Sequence, residues 1–445
     1  MRRTRAAAMT GALLAVCASL FTAIPSAQAA DSPGFHVQDG RLLDATGQDF
    51  VMRGVNHAHA WYPDRTDQAL KDIKAKGANS VRVVLATGDR WAKNGTADVT
   101  HVVEQCKQNR LVCVLEAHDT TGYGEAGAAV PLSKAVDYWL SVKDALVGQE
   151  KYVLINIGNE PYGNTNYTAW TAETKTAIGR LRAAGIHHAL MADAPNWGQD
   201  WSFTMRDNAA QVFAADPDRN TLFDIHMYGV YDSPAKVTDY LGRFVAAHLP
   251  LTIGEFGNKH SDGDPDEDAI MAAAQTLGIG YLGWSWSGNG GGVEYLDLVR
   301  NFDANQLSDW GTRLFDGPNG IRSTAKEAGV FGGGTGPGQQ GSCAVTYRLS
   351  DWGSSFNADV TTRNTSARET LDWKLDFTFS GRQKINSVWN AKAVQSGTDV
   401  HITPEAWTRS LPAGGSVGFG LSGSSVGPNT IPGAFVLNGT TCAVS

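Results

Sequence analysis

Eight short apolar runs recur along the first 300 or so residues, and their spacing limits the fold more than any other feature. They read FVMRGVN (50–56), SVRVVL (80–85), VCVLEAHD (112–119), VLINIGNE (153–160), HALMADA (188–194), LFDIHMYG (222–229), LTIGEFG (251–257) and GYLGWSW (280–286). Between them lie stretches such as DQALKDIKAKG and ETKTAIGRLRAAG, with apolar positions at helical spacing and Gly at the close. Near-continuous apolar strands alternating with amphipathic helices indicate a parallel sheet buried on both faces. Eight such repeats fit an α/β fold of the closed (β/α)8 kind, the TIM barrel. An open doubly wound sheet is the competing arrangement, but no Gly-rich phosphate turn follows the first run.

The rest of the sequence divides the chain. Arg2, Arg3 and Arg5 precede an apolar stretch from Gly11 to Ile24, and Ala27-Gln28-Ala29 follows. This is the layout of a secretory signal peptide over residues 1–30, so a secreted, extracellular protein is expected. No later stretch is apolar enough to span a bilayer, and no membrane partner is expected. Losing the signal removes three Arg and no acid, which takes the formal charge from -8 to -11. An acidic chain is ill suited to holding nucleic acid by counterion release. Residues 31–330 then form the barrel. Residues 331–342 (FGGGTGPGQQGS, six Gly and no charge) form a linker. Residues 343–445 are rich in Thr, Ser, Val and Gly, with alternating runs such as NADVTTRN and WKLDFTF, the pattern of an all-β sandwich. They carry eight Lys/Arg against seven Asp/Glu, so the acidity belongs to the barrel.

Cys17 leaves with the signal, and four Cys remain. An even number in an exported chain points to two disulfides. Of three pairings, Cys106–Cys113 with Cys343–Cys442 keeps each bridge inside one domain. The competing state leaves Cys106 and Cys113 as free core residues.

In (β/α)8 barrels the reacting groups sit at the C-terminal ends of the strands. Here those ends carry Asn56 and His57, Arg82, His118 and Asp119, Asn159 and Glu160, Asp193, His226 and Tyr228, Glu255, and Trp284 and Trp286. Two carboxylates on separate strands, with Arg, His, Tyr and Trp around them, suit cleavage of a glycosidic bond. One carboxylic acid protonates the leaving oxygen. The other attacks, or activates water at, the anomeric carbon. A cation such as Arg82 would keep its neighbouring carboxylate ionised. Taken singly, each residue reads more often as a salt-bridge partner or a packed core group; their coincidence on eight strand ends favours chemistry.

The motifs INIGNEPYG around Glu160 and LTIGEFG around Glu255 resemble the two catalytic strands of glycoside hydrolase family 5. The resemblance spans about residues 34–330 and includes Arg82, His118, Asn159, the His226-x-Tyr228 pair and a Trp at the eighth strand. HDTTGYGE (118–125) and WSWSGNGGGVEYLDL (284–298) are similar to bacterial β-mannanases of that family. The resemblance implies a retaining endo-hydrolase of β-1,4-mannan, galactomannan or glucomannan; an endo-β-1,4-glucanase would use the same two Glu. It implies Glu160 as acid then base, and Glu255 as nucleophile held ionised by Arg82 and oriented by Tyr228. The proton affinity of Glu160 should exceed that of Glu255. Asn159 is implied on the sugar 2-OH, with His118 and His226 lining the site. Trp286 is expected under the sugar beside the scissile bond and Trp284 deeper in the barrel, with Trp61, Trp197 and Trp201 at remote subsites. No metal or organic cofactor is implied, and the chain is expected to act as a monomer. A competing class rests on His57-Ala58-His59 and His226, which resemble the HxH start of metal-dependent amidohydrolase barrels; strand five offers Asp193 rather than His, and strand eight ends in Trp.

The tail resembles family 2 carbohydrate-binding modules across its length. The terminal Cys pair, NTS near 364, WNA at 389–391, PAGGSVGFG and FVLNGTTC carry the likeness. It implies that Trp352, Trp389 and Trp407 share one flat surface that lies on crystalline cellulose, while Trp373 belongs to the core.

Overall fold

The computed structural model describes residues 34–331, 343–366, 369–379, 381–427, 429–438 and 440–444. The expected signal segment and all of the linker but Phe331 lie outside the described residues. The eight apolar runs form eight strands: β1 (Arg53–His57), β2 (Ser80–Leu85), β3 (Val112–Ala117), β4 (Val153–Asn156), β5 (Leu190–Asp193), β6 (Thr221–Met227), β7 (Leu251–Phe256) and β8 (Gly280–Gly283). All pairings are parallel, and β8 pairs with β1 to close the barrel. Between consecutive strands run α1 (Thr66–Ala75), α2 (Thr96–Gln108), α3 (Leu132–Ser141), α4 (Trp170–Ala183), α5 (Thr204–Ala215), α6 (Pro234–Ala246) and α7 (Glu267–Leu277).

Alternation along the strands sorts the side chains. Val81, Val83 and Leu85 of β2, and Cys113, Leu115 and Ala117 of β3, join the cluster shared with the helices. The residues between them point into the barrel. There they form two layers, as side chains inside such barrels do. The lower layer is apolar, with Val114, Leu154, Met191, Leu222 and Leu282 packed together with Leu42 of an N-terminal hairpin and with Phe35, the residue before it. The upper layer is polar: Asn56, Arg82, Glu116, Asn156, Asp193 and Asp224 come from six strands, and all are buried.

One register shift matters for the site. Ile225 pairs with Ile253, but His226 pairs with Glu255. Gly254 is therefore an extra residue in β7, a bulge. Without it, strict alternation would send Glu255 outward with Ile253. With it, Glu255 turns into the barrel mouth.

The tail is a sandwich of two five-stranded sheets. The strands of these two sheets are β9 (Cys343–Asp351), β10 (Ser355–Asn364), β11 (Leu375–Thr378), β12 (Gln383–Trp389), β13 (Ala391–Ser396), β14 (Asp399–Pro404), β15 (Ser416–Ser425), β16 (Phe435–Leu437), β17 (Thr440–Thr441) and β18 (Ala443–Val444). One sheet runs β12-β15-β10-β9-β18 and the other β13-β14-β11-β16-β17. Along β10 burial alternates at every residue, which places Phe356, Ala358 and Val360 in the core with Trp373 and Phe419. The Cys343–Cys442 disulfide is present and ties the start of β9 to the residue before β18.

The expected Cys106–Cys113 bridge is not formed. Both are buried free thiols, with sulfurs 2.6 Å apart, among the apolar residues between α2 and β3. Burial pushes the Cys113 thiol well above its ordinary value, and the neighbouring Cys106 adds to this.

Candidate active site

The polar layer leads upward to a cleft of about 460 Å³ at the C-terminal ends of the strands. Arg82 organises its floor. The guanidinium is fully buried, and it donates from Nε to Asn156 Oδ1 (2.8 Å), from Nη1 to Asn56 Oδ1 (2.9 Å) and Glu255 Oε1 (2.8 Å), and from Nη2 to Asn159 Oδ1 (2.7 Å) and Asp193 Oδ2 (3.3 Å). Every face of its rigid donor fork meets an acceptor, which fixes five strands against one another. The surrounding acids Glu116, Glu255, Asp193 and Asp224 more than offset burial and hold Arg82 charged.

Glu255 is 4% exposed and held at both oxygens. Arg82 takes Oε1, and the Tyr228 hydroxyl donates to Oε2 at 3.0 Å. Glu160 lies four residues past the end of β4, 8% exposed, with φ of 40°. A left-handed Glu is uncommon, and such residues cluster at functional sites. Asp193 stabilises this turn by accepting the Glu160 amide at 3.1 Å, and His226 Nδ1 donates to Glu160 Oε1 at 2.8 Å. One oxygen of Glu160 and one of Glu255 lie within 4.8 Å of each other, and His226 Nδ1 stands 2.8 Å from Glu160 Oε1 and 3.6 Å from Glu255 Oε2.

The other expected groups gather here too. His118 donates from Nδ1 to Glu116 Oε1 at 2.8 Å and faces the cleft. Asn159 is spanned between Arg82 and Thr121, since its Nδ2 donates to Thr121 Oγ1 at 2.8 Å. Trp61 lines the cleft edge-on to His118. Trp197 and Trp201 instead hydrogen-bond Glu125 and Asn164 on neighbouring loops.

Two expectations fail. Trp286 does not face the cleft: it is fully buried, edge-on to Phe315. Trp284 lines the cleft instead, its ring stacked 5.8 Å from His118 and its Nε1 donating to Asn289 Oδ1. The reason is that β8 ends at Gly283, so strand alternation no longer governs the two tryptophans. The expected order of proton affinity is also reversed in the free site. Burial would raise Glu160, but the His226 hydrogen bond and charge hold it below its ordinary value. Burial pushes Glu255 up, although His226 and Arg82 oppose this.

Sequence reasoning missed several groups. Glu116, Asn156 and Asp224 looked like interruptions of apolar runs, and only barrel closure brings them under Arg82. His260 also faces the cleft; its ring lies 4.4 Å from that of Tyr228, and Asp262 bonds its Nδ1. The HxH pair is structural. His57 and His59 both bond Thr66 Oγ1 at the start of α1, and His59 reaches Asp98 on α2. Burial takes His57 down to about 3, with the neighbouring His59 adding to the effect. Among the described residues the metal-compatible clusters are Glu160–His226–Glu255 and Asp193–Asp224–His226, and neither contains His57 or His59.

A closed (β/α)8 barrel whose strand ends bring two buried carboxyls to one open cleft defines the barrel glycosidase class. Comparison with known proteins gives the particular family. The family described as Cellulase (glycosyl hydrolase family 5) matches residues 43–290, and the Cellulose binding domain family matches residues 343–442. The chain is 61% identical over 342 residues to the mannan endo-1,4-β-mannosidase of Streptomyces lividans, covering 76% of this chain and 89% of that protein. It is 51% identical over 316 residues to the enzyme of the same name from Cellvibrio japonicus (strain Ueda107), covering 71% and 73%. The solved β-mannanase of Thermomonospora fusca is 63% identical, with a TM-score of 0.66, over 67% of this chain and 99% of that one. The chain belongs to glycosyl hydrolase family 5 and carries a C-terminal cellulose binding domain.

Proposed function

We propose that this protein is a secreted endo-β-1,4-mannanase that cleaves mannan, galactomannan or glucomannan with retention, while its sandwich holds it to cellulose. The observation that carries the mechanism is the Glu160–Glu255 pair, with oxygens within 4.8 Å across the cleft. A nucleophile and an acid/base stand about 5–5.5 Å apart in retaining enzymes, whereas inversion needs room for a water. Glu255, gripped by Arg82 and Tyr228, is the nucleophile. Glu160 protonates the leaving oxygen, then takes a proton from water. The free-site order of proton affinities must reverse for this step. A bound sugar chain covers Glu160 from solvent, which favours its neutral form, while Arg82 keeps Glu255 charged. Trp284 offers the sugar an apolar face. The relatives named mannosidases support mannan as the substrate, and the family's cellulase description keeps cellulose as the comparison. No cofactor enters these steps, and one chain carries every group.

Glu255→Gln should abolish covalent trapping by a fluorosugar inhibitor and remove mannan hydrolysis. Glu160→Ala should lower mannan hydrolysis by about 10²–10⁴-fold, with azide or an activated leaving group restoring part of it. Trapping that survives in Glu255→Gln, or equal loss on every substrate in Glu160→Ala, would overturn these roles. Faster release of reducing ends from carboxymethylcellulose than from mannan would overturn the substrate.

A further inference from the structure

Below the cleft the barrel holds a second acidic pair that the proposed reaction does not use. Asp193 on β5 and Asp224 on β6 are fully buried or nearly so. His226 stands between this pair and the cleft. Its Nε2 lies 3.4 Å from Asp224 Oδ2 and 3.5 Å from Asp193 Oδ2. Its Nδ1 meets Glu160 Oε1 at 2.8 Å and lies 3.6 Å from Glu255 Oε2. Both ring nitrogens therefore face carboxyl oxygens, an arrangement suited to a ring that carries hydrogen on both.

The two lower acids differ in their other contacts. Asp193 accepts from the Glu160 amide, from Arg82 and from Asn156. Both oxygens of Asp224 are buried, and among the described residues its one ion pair is with His226 Nε2, at 3.4 Å. Space for this carboxyl comes from the β7 bulge: a Cβ on Gly254 would lie 2.0 Å from Asp224 Oδ2. The same glycine thus turns Glu255 into the cleft and leaves room for Asp224 under His226.

We infer that Asp224 is a positioning residue for the chemistry of Glu160 and Glu255: it holds the His226 ring as an imidazolium, and through that charge it sets when each cleft carboxyl gains and loses its proton. This rests on the acid/base and nucleophile roles proposed above. The carboxyls that meet the ring are Glu160 from beyond β4, Asp193 from β5, Asp224 on its own strand and Glu255 from β7, and Arg82 from β2 pairs in turn with Asp193, Glu255 and Glu116 of β3. Tyr228 follows on its own strand, and His118 and His260 stand at the cleft wall. Burial opposes the imidazolium, but Glu255, Asp224, Glu160 and Asp193 together push His226 well above its ordinary value. Burial and the nearby Asp224 push Asp193 well up, although Arg82, His226 and Asn156 oppose this.

The sign follows. An imidazolium lowers the proton affinity of a neighbouring carboxylate. Replacing Asp224 by neutral Asn favours the neutral ring, so Glu255 and Glu160 both titrate at higher pH. The acid limb of kcat/KM needs Glu255 ionised, and the alkaline limb needs Glu160 protonated. In full-length Asp224→Asn acting on soluble mannan, both limbs should move up by about one pH unit. A lower plateau with unmoved limbs would mean that Asp224 only supports the fold, and would overturn the proposal. A second measurement does not depend on how the variant folds. Ring ¹⁵N spectra of the wild-type protein, with His226 assigned by its loss in His226→Asn, should show both nitrogens protonated at pH 8. A neutral ring there also overturns it. A wild-type protein that releases no reducing ends from mannan would instead overturn the reading on which the proposal rests, and the ring spectrum would still decide the charge of His226.

Discussion

The barrel mouth and the sandwich surface both present tryptophan, but they support it differently. In the cleft Trp284 stacks on His118, bonds Asn289 and stands beside carboxyls wired into Arg82. In the sandwich Trp352, Trp389 and Trp407 are 62%, 42% and 73% exposed. The cleft is concave and networked, so changing one group alters the charge or position of others. The sandwich rings rest on a frame that does not depend on them. Changes in the cleft should therefore couple, while changes on the sandwich should leave the fold alone.

The largest effect on folding should come from the frame of the sandwich. The Cys343–Cys442 bridge closes a loop of 99 residues. Loop entropy assigns such a bridge about 4–5 kcal/mol, a large share of the ~5–15 kcal/mol expected for a domain of this size. Cys343→Ser with Cys442→Ser should lower the calorimetric transition of the sandwich while mannan hydrolysis by the barrel persists. If the barrel transition falls instead, the two regions are not energetically separate. In the same chain, unfolded without reductant, Cys106 and Cys113 should react with a thiol reagent. If they do not, that short loop is closed in solution.

A comparison inside the barrel comes next. Trp286 fills the core against Phe315, so Trp286→Ala should cost about 3–5 kcal/mol of stability. Trp284→Ala should leave the melting temperature almost unchanged and raise KM for mannan oligosaccharides about tenfold, as loss of a stacking face does. The opposite pattern would restore Trp286 to the cleft.

That exchange marks where the sequence stopped being readable. The barrel was legible because eight buried parallel strands need eight apolar runs. Arg82, His118, Asn159, His226 and Tyr228 were legible because strand ends converge on one mouth. Past Gly283 no periodicity applies, so the spacing of Trp284 and Trp286 carried no directional information. Within β7 the alternation was itself misleading: only the bulge at Gly254, visible in the pairing with β6, turns Glu255 inward. The buried acids were invisible for another reason. Whether Glu116 or Asp224 is paired, and which way Glu160 and Glu255 shift, depends on charges from five strands that meet only when the barrel closes.

The smallest effect on folding should come from the three exposed tryptophans of the sandwich, together with the clearest loss of binding. Trp389 ends β12 beside Gly420 of β15, and a Cβ on that glycine would lie 1.8 Å from the indole. The ring thus lies against bare backbone on the outer face that it shares with Asp359, the neighbour of Gly420 on β10. Trp352 sits in the turn between β9 and β10 of the same sheet. Trp407 lies in a short helical turn whose Thr408 hydroxyl bonds Asn390, next to Trp389, and whose Thr408 carbonyl is held by the buried Trp373 indole at 2.7 Å. Core Trp373 therefore positions the turn that carries exposed Trp407. Replacing Trp352, Trp389 and Trp407 together by Ala removes rings that lie outside the sandwich core, so the sandwich transition should move by no more than about 1 kcal/mol. Capture of the full chain by insoluble cellulose should disappear, and its hydrolysis of soluble mannan should not change. Wild-type capture should persist in high salt, because stacked rings rather than charges would hold the surface. Trp373→Ala makes the contrast, since it should weaken cellulose capture only together with loss of the sandwich fold. Cellulose capture that survives the triple substitution would place the binding surface elsewhere on the molecule.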